Sequence, residues 1–331
     1  MNLLTDLPGL AVGHATDLAL GSGVTAILFD RPAIASVAVH GGAPGGRDTH
    51  ALEPDMSIEA VDAIVLSGGS AFGLDAAGGV QAALREAGRG HAIGGMRVPI
   101  VPQAIIFDLL NGGNKDWGRF SPYRDLGYEA AIAARPGLFA LGSVGAGTGA
   151  TTATVKGGLG SASARTASGH IVAALAVVNA IGAPTIGDGA WFWAAPYEIG
   201  QEFGGRGWPA GFDTTLRLKG GRAASTSGTA TTIALVVTDA ALTRPQAKRL
   251  AIMAHDGLAR AILPAHAPLD GDTIFAASIG QRPMADPFME VTELGHAATL
   301  VMARAIARGV YEAAALPIAG AQMGWQDKFG R

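Results

Sequence analysis

The chain contains no cysteine among its 331 residues. That excludes disulfides, thiolate zinc sites and cysteine nucleophiles together. It suits a reducing compartment, and a cytoplasmic protein is expected. Charge is also scarce. Charged residues make up 15%, the net charge is −3, and no Lys/Arg run or basic stripe occurs, so nucleic acid is not an expected partner. Long hydrophobic runs are missing as well. The longest lies near Ile171 to Val178, far short of the roughly 18–20 residues of a membrane span. The first residues, MNLLTDLPGLAVGHATD, have neither a basic start nor an apolar core, unlike a signal peptide. What the chain has in excess is small and apolar. Apolar residues reach 49%, and 49 residues are glycine, against a usual share of roughly 7%. The glycines follow no fixed period. A large, layered, oligomeric globular protein is expected, read as one catalytic domain over 1–331.

Along the chain, Val24–Phe29 and Ala35–Val39 read as two strands, followed by the glycine-rich HGGAPGG. Val61–Leu66 reads as a buried strand. Phe72–Glu86 has helical spacing, Ile105–Leu109 reads as a strand, and Asp125–Arg135 as a short helix. Gly158–Ala164 and His170–Asn179 resemble a hairpin. Trp191–Trp193 and Gly200–Gly211 read as a long loop. The last hundred residues alternate clearly. Thr231–Val237 and Asp272–Ala277 are strands, Thr243-Arg244-Pro245-Gln246 is a capping box opening a helix, and Val291–Ala313 is a long helix.

Several motifs fail. Gly145–Ala150 matches GxGxxA, but no Asp or Glu occurs from Ala130 to Gly187 to hold a ribose; a tight glycine turn is the better reading. Gly68–Gly73 has phosphate-loop spacing without its lysine. Phe72 also spoils the GxSxG pattern around Ser70, which reads instead as a helix N-cap. The eight histidines show no metal-ligand spacing, so no metal and no cofactor is assigned. His255 and His296 are read as structural helix residues, and Asp6, His14 and Asp17 carry no assignment.

The stretch from Gly220 to Ala240, GGRAASTSGTATTIALVVTDA, is different. A loose small-residue linker runs straight into an apolar strand, and the junction is Thr231. If the bond before it breaks, one residue holds both a hydroxyl nucleophile and an amine base. Asp270 and Asp272 stand two apart before a strand, either as a self-bonded turn or as a pair of carboxylates on one side. Lys156 has no acidic residue near it in sequence, so it either faces solvent or is carried to a site. Asn179 ends a buried strand, where its amide must find partners, as a turn former or as an oxyanion donor.

These motifs carry a resemblance. TDLPGLAVGH (5–14), GGAPGGRDT (41–49), IVLSGGSAFGLDAA (64–77), VGAGTGATTATVKGGLGSAS (144–163), VVNAIG (177–182), TTIALVVTDAALT (231–243) and DGDTIFA (270–276) resemble the DmpA-type self-processing aminopeptidases, which include the nylon-oligomer hydrolases. The resemblance covers nearly the whole chain. It implies an α/β fold, a four-layer αββα sandwich of the N-terminal-nucleophile type related to the ornithine acetyltransferases. It implies self-cleavage between Ala230 and Thr231 into an α chain of 1–230 and a β chain of 231–331, with a homotetramer of processed units. By motif match, Thr231 is the nucleophile, Lys156 the lysine near it and Asn179 the oxyanion residue. Asp270 and Asp272 match the pair that steadies the nucleophile. The implied reaction is hydrolysis of small peptides or amide oligomers through an acyl-enzyme. The sequence departs from the family at Ala230, where relatives carry Asn or Gly; Gly228-Thr229 is the fallback cleavage site. An uncleaved binding or assembly member and an acyltransferase are the alternatives.

Overall fold

The computed structural model describes residues 2–221 and 230–330. In chain order the strands are β1 (Leu10–Asp17), β2 (Ser22–Val39), β3 (Gly46–Arg47) and β4 (Ala60–Ser67). Helices α1 (Ser70–Gly73) and α2 (Ala76–Glu86) follow. Next come the short strands β5 (His91–Ile93), β6 (Met96–Val98) and β7 (Gln103–Ile105), then α3 (Tyr123–Ala133). Strands β8 (Leu159–Arg165), β9 (Ile171–Asn179) and β10 (Thr231–Ala240) lead to α4 (Arg244–Ala259). The chain closes with β11 (Thr273–Arg282), α5 (Pro287–Tyr311) and α6 (Trp325–Phe329). Among the described residues no helix is long and apolar enough to cross a membrane.

One strand organises the layers. The order of the main sheet is β3-β7-β4-β2-β11-β10-β9-β8, with β1 pairing β2. The two strands expected at Val24–Phe29 and Ala35–Val39 are a single 18-residue β2. Its first half pairs with β1, its second half with β11. Its ladder to β4 is irregular between Leu28 and Ala33. Pro32 sits there, and a bulge is where a sheet tolerates a residue without an N–H donor. Beyond it the strand has passed from one layer to the next.

Alternation along the strands then builds three cores. Ile27 and Phe29 of β2, Ile64 and Leu66 of β4, Leu175 and Val177 of β9, and Ile233, Leu235 and Val237 of β10 form the central core between the two sheet layers. The alternate residues face helices. Ala26, Ala63 and Val65 pack on α2 and α3, while Ala174, Ala176, Ala234 and Val236 pack on α4 and α5. The result is the expected αββα order: α4/α5, sheet, sheet, α2/α3. Small residues let the layers approach. A Cβ on Gly160 of β8 would fall 2.0 Å from the Ala305 carbonyl oxygen of α5.

The tail follows the expected pattern. Strand β10 runs parallel to β11, with α4 as the crossover that a parallel pair requires. Thr243 caps α4 by accepting from Gln246 N, with Gln246 completing the box. The β8–β9 hairpin is antiparallel as read. The strand expected at Ile105–Leu109 lies earlier, at Gln103–Ile105. Strand β1 and the small β5–β6 hairpin are additions that the sequence reading did not include.

Candidate active site

Strand β10 is buried at all ten positions. Each of Ile233, Leu235 and Val237 contributes about 1.5–3 kcal/mol by burial. Thr231 opens this strand with the same parity as those three, so its side chain belongs to the end of the central core. β9 lies antiparallel, with Asn179 directly opposite Thr231. The pairing places Asn179 on that same face, and both are almost wholly buried. The sequence thus puts a hydroxyl and an amide side by side at the rim of two buried strands.

Asn179 is held from several directions. Its Oδ1 accepts from Thr151 N at 3.0 Å and from Lys219 Nζ at 2.7 Å. Its Nδ2 donates to the Phe107 carbonyl at 3.1 Å. Phe107 also lines a cavity of about 350 Å³ that contains Thr231, Gly45, Ser70 and Leu74. On its other side Phe107, Lys219, Thr151 and Asp108 line a second cavity of about 570 Å³. Asn179 therefore braces the wall between the two.

The bond before Thr231 is well surrounded. Ala230 is buried and bridges Asp270. Its carbonyl oxygen accepts from Gly271 N at 3.1 Å and is contacted by the Thr231 hydroxyl itself. The linker residues 222–229, including the fallback site Gly228-Thr229, lie outside the described residues.

The two aspartates tie neighbouring strands together. Asp270 Oδ1 accepts from Ile181 N at 3.1 Å, just past β9. Burial, then the nearby Asp272 charge, hold the Asp270 carboxyl above the usual carboxylate range. Asp272 Oδ1 accepts from Thr232 N at 2.8 Å, and its Oδ2 from His266 N at 2.9 Å. His266 Nδ1 lies 2.8 Å from the same Oδ2.

Lys156 is buried, so the solvent-facing alternative is set aside. Its ammonium donates to the carbonyls of Gly147, Ala150 and Gly157 at 3.2, 2.6 and 2.8 Å. No nearby acid is needed, because backbone carbonyls supply the acceptors. Burial pulls its pKa down to about 7. The same glycine loop that mimicked a dinucleotide motif is thus a turn wrapped around this side chain, with a 3-10 turn at Gly145–Gly147.

Four features escaped the sequence reading. Lys219, just before the linker, reaches Asn179, and burial lowers its pKa to about 7. Asp108 is buried, accepts from Gly69 N and the Ser22 hydroxyl at 2.7 and 2.6 Å, and has its pKa raised by that burial. Gly271 donates to the Ala230 carbonyl. His40, distant in sequence, meets His255 and His266 in space. One reading is corrected. Ser70 is not an N-cap: Gly69 holds that position, Ser70 has φ 51°, and no side-chain capping bond forms. A left-handed serine lining the Thr231 cavity is strained by roughly 1–3 kcal/mol.

Comparison with known proteins agrees with this architecture. Residues 2–323 match the profile of peptidase family S58. An uncharacterized aminopeptidase of Mycobacterium tuberculosis is 42% identical over 97% of this chain and 96% of its own. The 6-aminohexanoate-oligomer endohydrolase of Paenarthrobacter ureafaciens is 29% identical over 82% of this chain and 74% of its own. Among solved structures, the L-aminopeptidase D-Ala-esterase/amidase of Ochrobactrum anthropi aligns with a TM-score of 0.67 at 20% identity. It covers 95% of this chain and 87% of that one, and is described as a variant of the Ntn hydrolase fold. A beta-aminopeptidase of Burkholderia sp. gives 0.67 at 23% identity, over 98% and 90%. The likeness to these solved structures is one of fold. With nearly its full length matched, the chain belongs to peptidase family S58, the DmpA and nylon-hydrolase family of enzymes acting on peptide and amide bonds.

Proposed function

We propose that this chain is a self-processing N-terminal-threonine amidohydrolase. The observation that carries the reading is the Thr231 hydroxyl lying against the carbonyl of Ala230, whose oxygen also accepts from Gly271 N–H. In processing, Thr231 Oγ1 attacks the Ala230 carbonyl carbon. The oxyanion forms under the Gly271 N–H. The C–N bond breaks, the Thr231 nitrogen takes the proton lost by the hydroxyl, and an ester links Ala230 to Thr231. Water hydrolyses that ester, restoring the hydroxyl and leaving a carboxylate on Ala230.

The freed α-amine of Thr231, with an ordinary pKa of roughly 7.7–8.0, then serves as base for the same hydroxyl. A substrate amide in the Thr231 cavity is attacked, its amine leaves with a proton, and water releases the acyl group. The register opposite Thr231 supports Asn179 as the oxyanion donor, a contact class worth about 3–4 kcal/mol in the transition state. The three carbonyl bonds of Lys156 support a positioning role, with its positive charge favouring the oxyanion. Asp270 and Asp272 hold the start of β10 and the Gly271 turn. The names of the relatives support small peptides or short amide oligomers as substrates.

The test is Thr231→Ala. Wild-type protein is expected to yield two chains and to hydrolyse amino-acid p-nitroanilides or 6-aminohexanoate oligomers. The variant is expected to stay at 33.3 kDa with no activity. Wild-type turnover by Thr231→Ala refutes the assignment.

A further inference from the structure

The fold brings together three histidines that the reaction above does not use. His40 follows β2, His255 lies on α4 and His266 lies in the turn before β11. Their ring centroids are 3.9 Å apart for His40 and His255, 4.9 Å for His255 and His266, and 5.3 Å for His40 and His266. One nitrogen from each lies within 4.8 Å of the others.

Hydrogen bonding sets up two of these rings as ligands. His255 Nε2 lies 2.9 Å from the Ala38 carbonyl oxygen. A carbonyl only accepts, so Nε2 carries the proton and the Nδ1 lone pair is left over. That Nδ1 is buried with no hydrogen-bond partner among the described residues. His266 Nδ1 lies 2.8 Å from the Asp272 carboxylate, and an ionised carboxylate likewise only accepts. Nε2 is then the nitrogen that His266 can offer a metal, in exchange for its contact with the His255 backbone carbonyl. A second nitrogen that donates to a carbonyl or carboxylate is the outer-shell pattern of metal-bound histidine. His40 is exposed, so its ring can swing to complete the set and the site has an entry path.

We propose that His40, His255 and His266 form a binding site for a divalent transition ion of the zinc class, with solvent in the fourth position. Three neutral imidazoles suit zinc, cobalt or nickel and do not suit magnesium. Tetrahedral coordination at 2.0–2.1 Å asks for ligand nitrogens about 3.4 Å apart, so the exposed His40 ring turns out of its stack on His255 (interplanar angle 18°) and the His255 and His266 nitrogens draw together. The ion stands one hydrogen bond from Asp272, and Asp272 accepts from Thr232 N. It would therefore pin the start of β10 from the helix side, without touching Thr231.

Binding is measured on the purified full chain by calorimetry with Zn²⁺ and by the visible absorption of added Co²⁺. The expected result is one Zn²⁺ per chain, a four- or five-coordinate Co²⁺ spectrum and no Mg²⁺ binding. His40→Ala should weaken Zn²⁺ by at least the roughly 10–100-fold typical of losing even an outer-shell partner, and His255→Gln should weaken it further. His91→Ala, at an exposed histidine outside the cluster, should change nothing. If His255→Gln does not fold by circular dichroism, the exposed His40→Ala decides. Absence of stoichiometric Zn²⁺ binding, or binding unchanged in His40→Ala, overturns the site. These readouts are independent of amide hydrolysis.

Discussion

Replacing Gly271 by alanine should separate the chemistry at Ala230 from the stability of the fold. Gly271 has ordinary negative-side backbone geometry, so alanine costs nothing through φ. The obstacle is space. A Cβ there would stand 2.7 Å from the Ala43 carbonyl oxygen, 2.8 Å from Thr231 Oγ1 and 3.1 Å from Thr231 Cγ2. Thr231 can rotate, but the Ala43 backbone is tied to the same turn by its N–H donating to the Asp270 carbonyl at 2.8 Å. The turn must therefore shift, and the Gly271 N–H leaves the Ala230 oxygen it now reaches at 3.1 Å. Overpacking of this kind costs about 1–3 kcal/mol in stability, which leaves the protein folded. Loss of one oxyanion donor slows acyl chemistry by about 10²–10³-fold. The assay follows conversion of the intact chain into two fragments after synthesis, on denaturing gels. Gly211→Ala is the control, because a Cβ there meets nothing within 4 Å. Wild-type cleavage by folded Gly271→Ala would refute the assignment of that N–H.

Two further outcomes follow from the same structure. Asn179→Ala removes the acceptor of Thr151 N–H and the donor to the Phe107 carbonyl; about 1–3 kcal/mol is expected for each group left unsatisfied, read by denaturant unfolding alongside loss of amide hydrolysis. His14 is held neutral in the folded state, where burial lowers its pKa to about 4 against a partly offsetting backbone bond at Ala140. The unfolded chain takes that proton near 6.5, so its stabilising contribution is complete above pH 6.5 and is lost as pH falls towards 4. The loss amounts to about 3 kcal/mol at 1.4 kcal/mol per unit, and unfolding curves of His14→Gln should lack it.

Much of the fold was legible in the sequence because its signals are local. The apolar run from Thr231, the Thr243–Gln246 box and the β8–β9 hairpin depend on neighbours in the chain. Strand β2 did not read as one element because Asp30 and Pro32 argue for a break. Only pairing on both sides, to β1 and then β11, carries the strand through its bulge. At the site, Thr231, Asn179, Asp270 and Asp272 stand out as polar residues at the ends of apolar runs. Lys156 stood out by its lack of acidic neighbours, yet nothing local tells that three loop carbonyls receive it. Lys219, Gly271 and the three histidines gain their meaning from residues dozens to hundreds of positions away. A histidine on α4 looks structural until β2 and the β11 turn bring His40 and His266 beside it.

The central claim is that Thr231 becomes an N-terminus by its own chemistry. Intact-mass and N-terminal measurements on freshly purified protein test it directly. The account predicts two chains, the smaller beginning at Thr231, and a single uncut chain for Thr231→Ala prepared in the same way. A fully active wild-type protein that remains one chain, or a smaller chain beginning at any other residue, would contradict it.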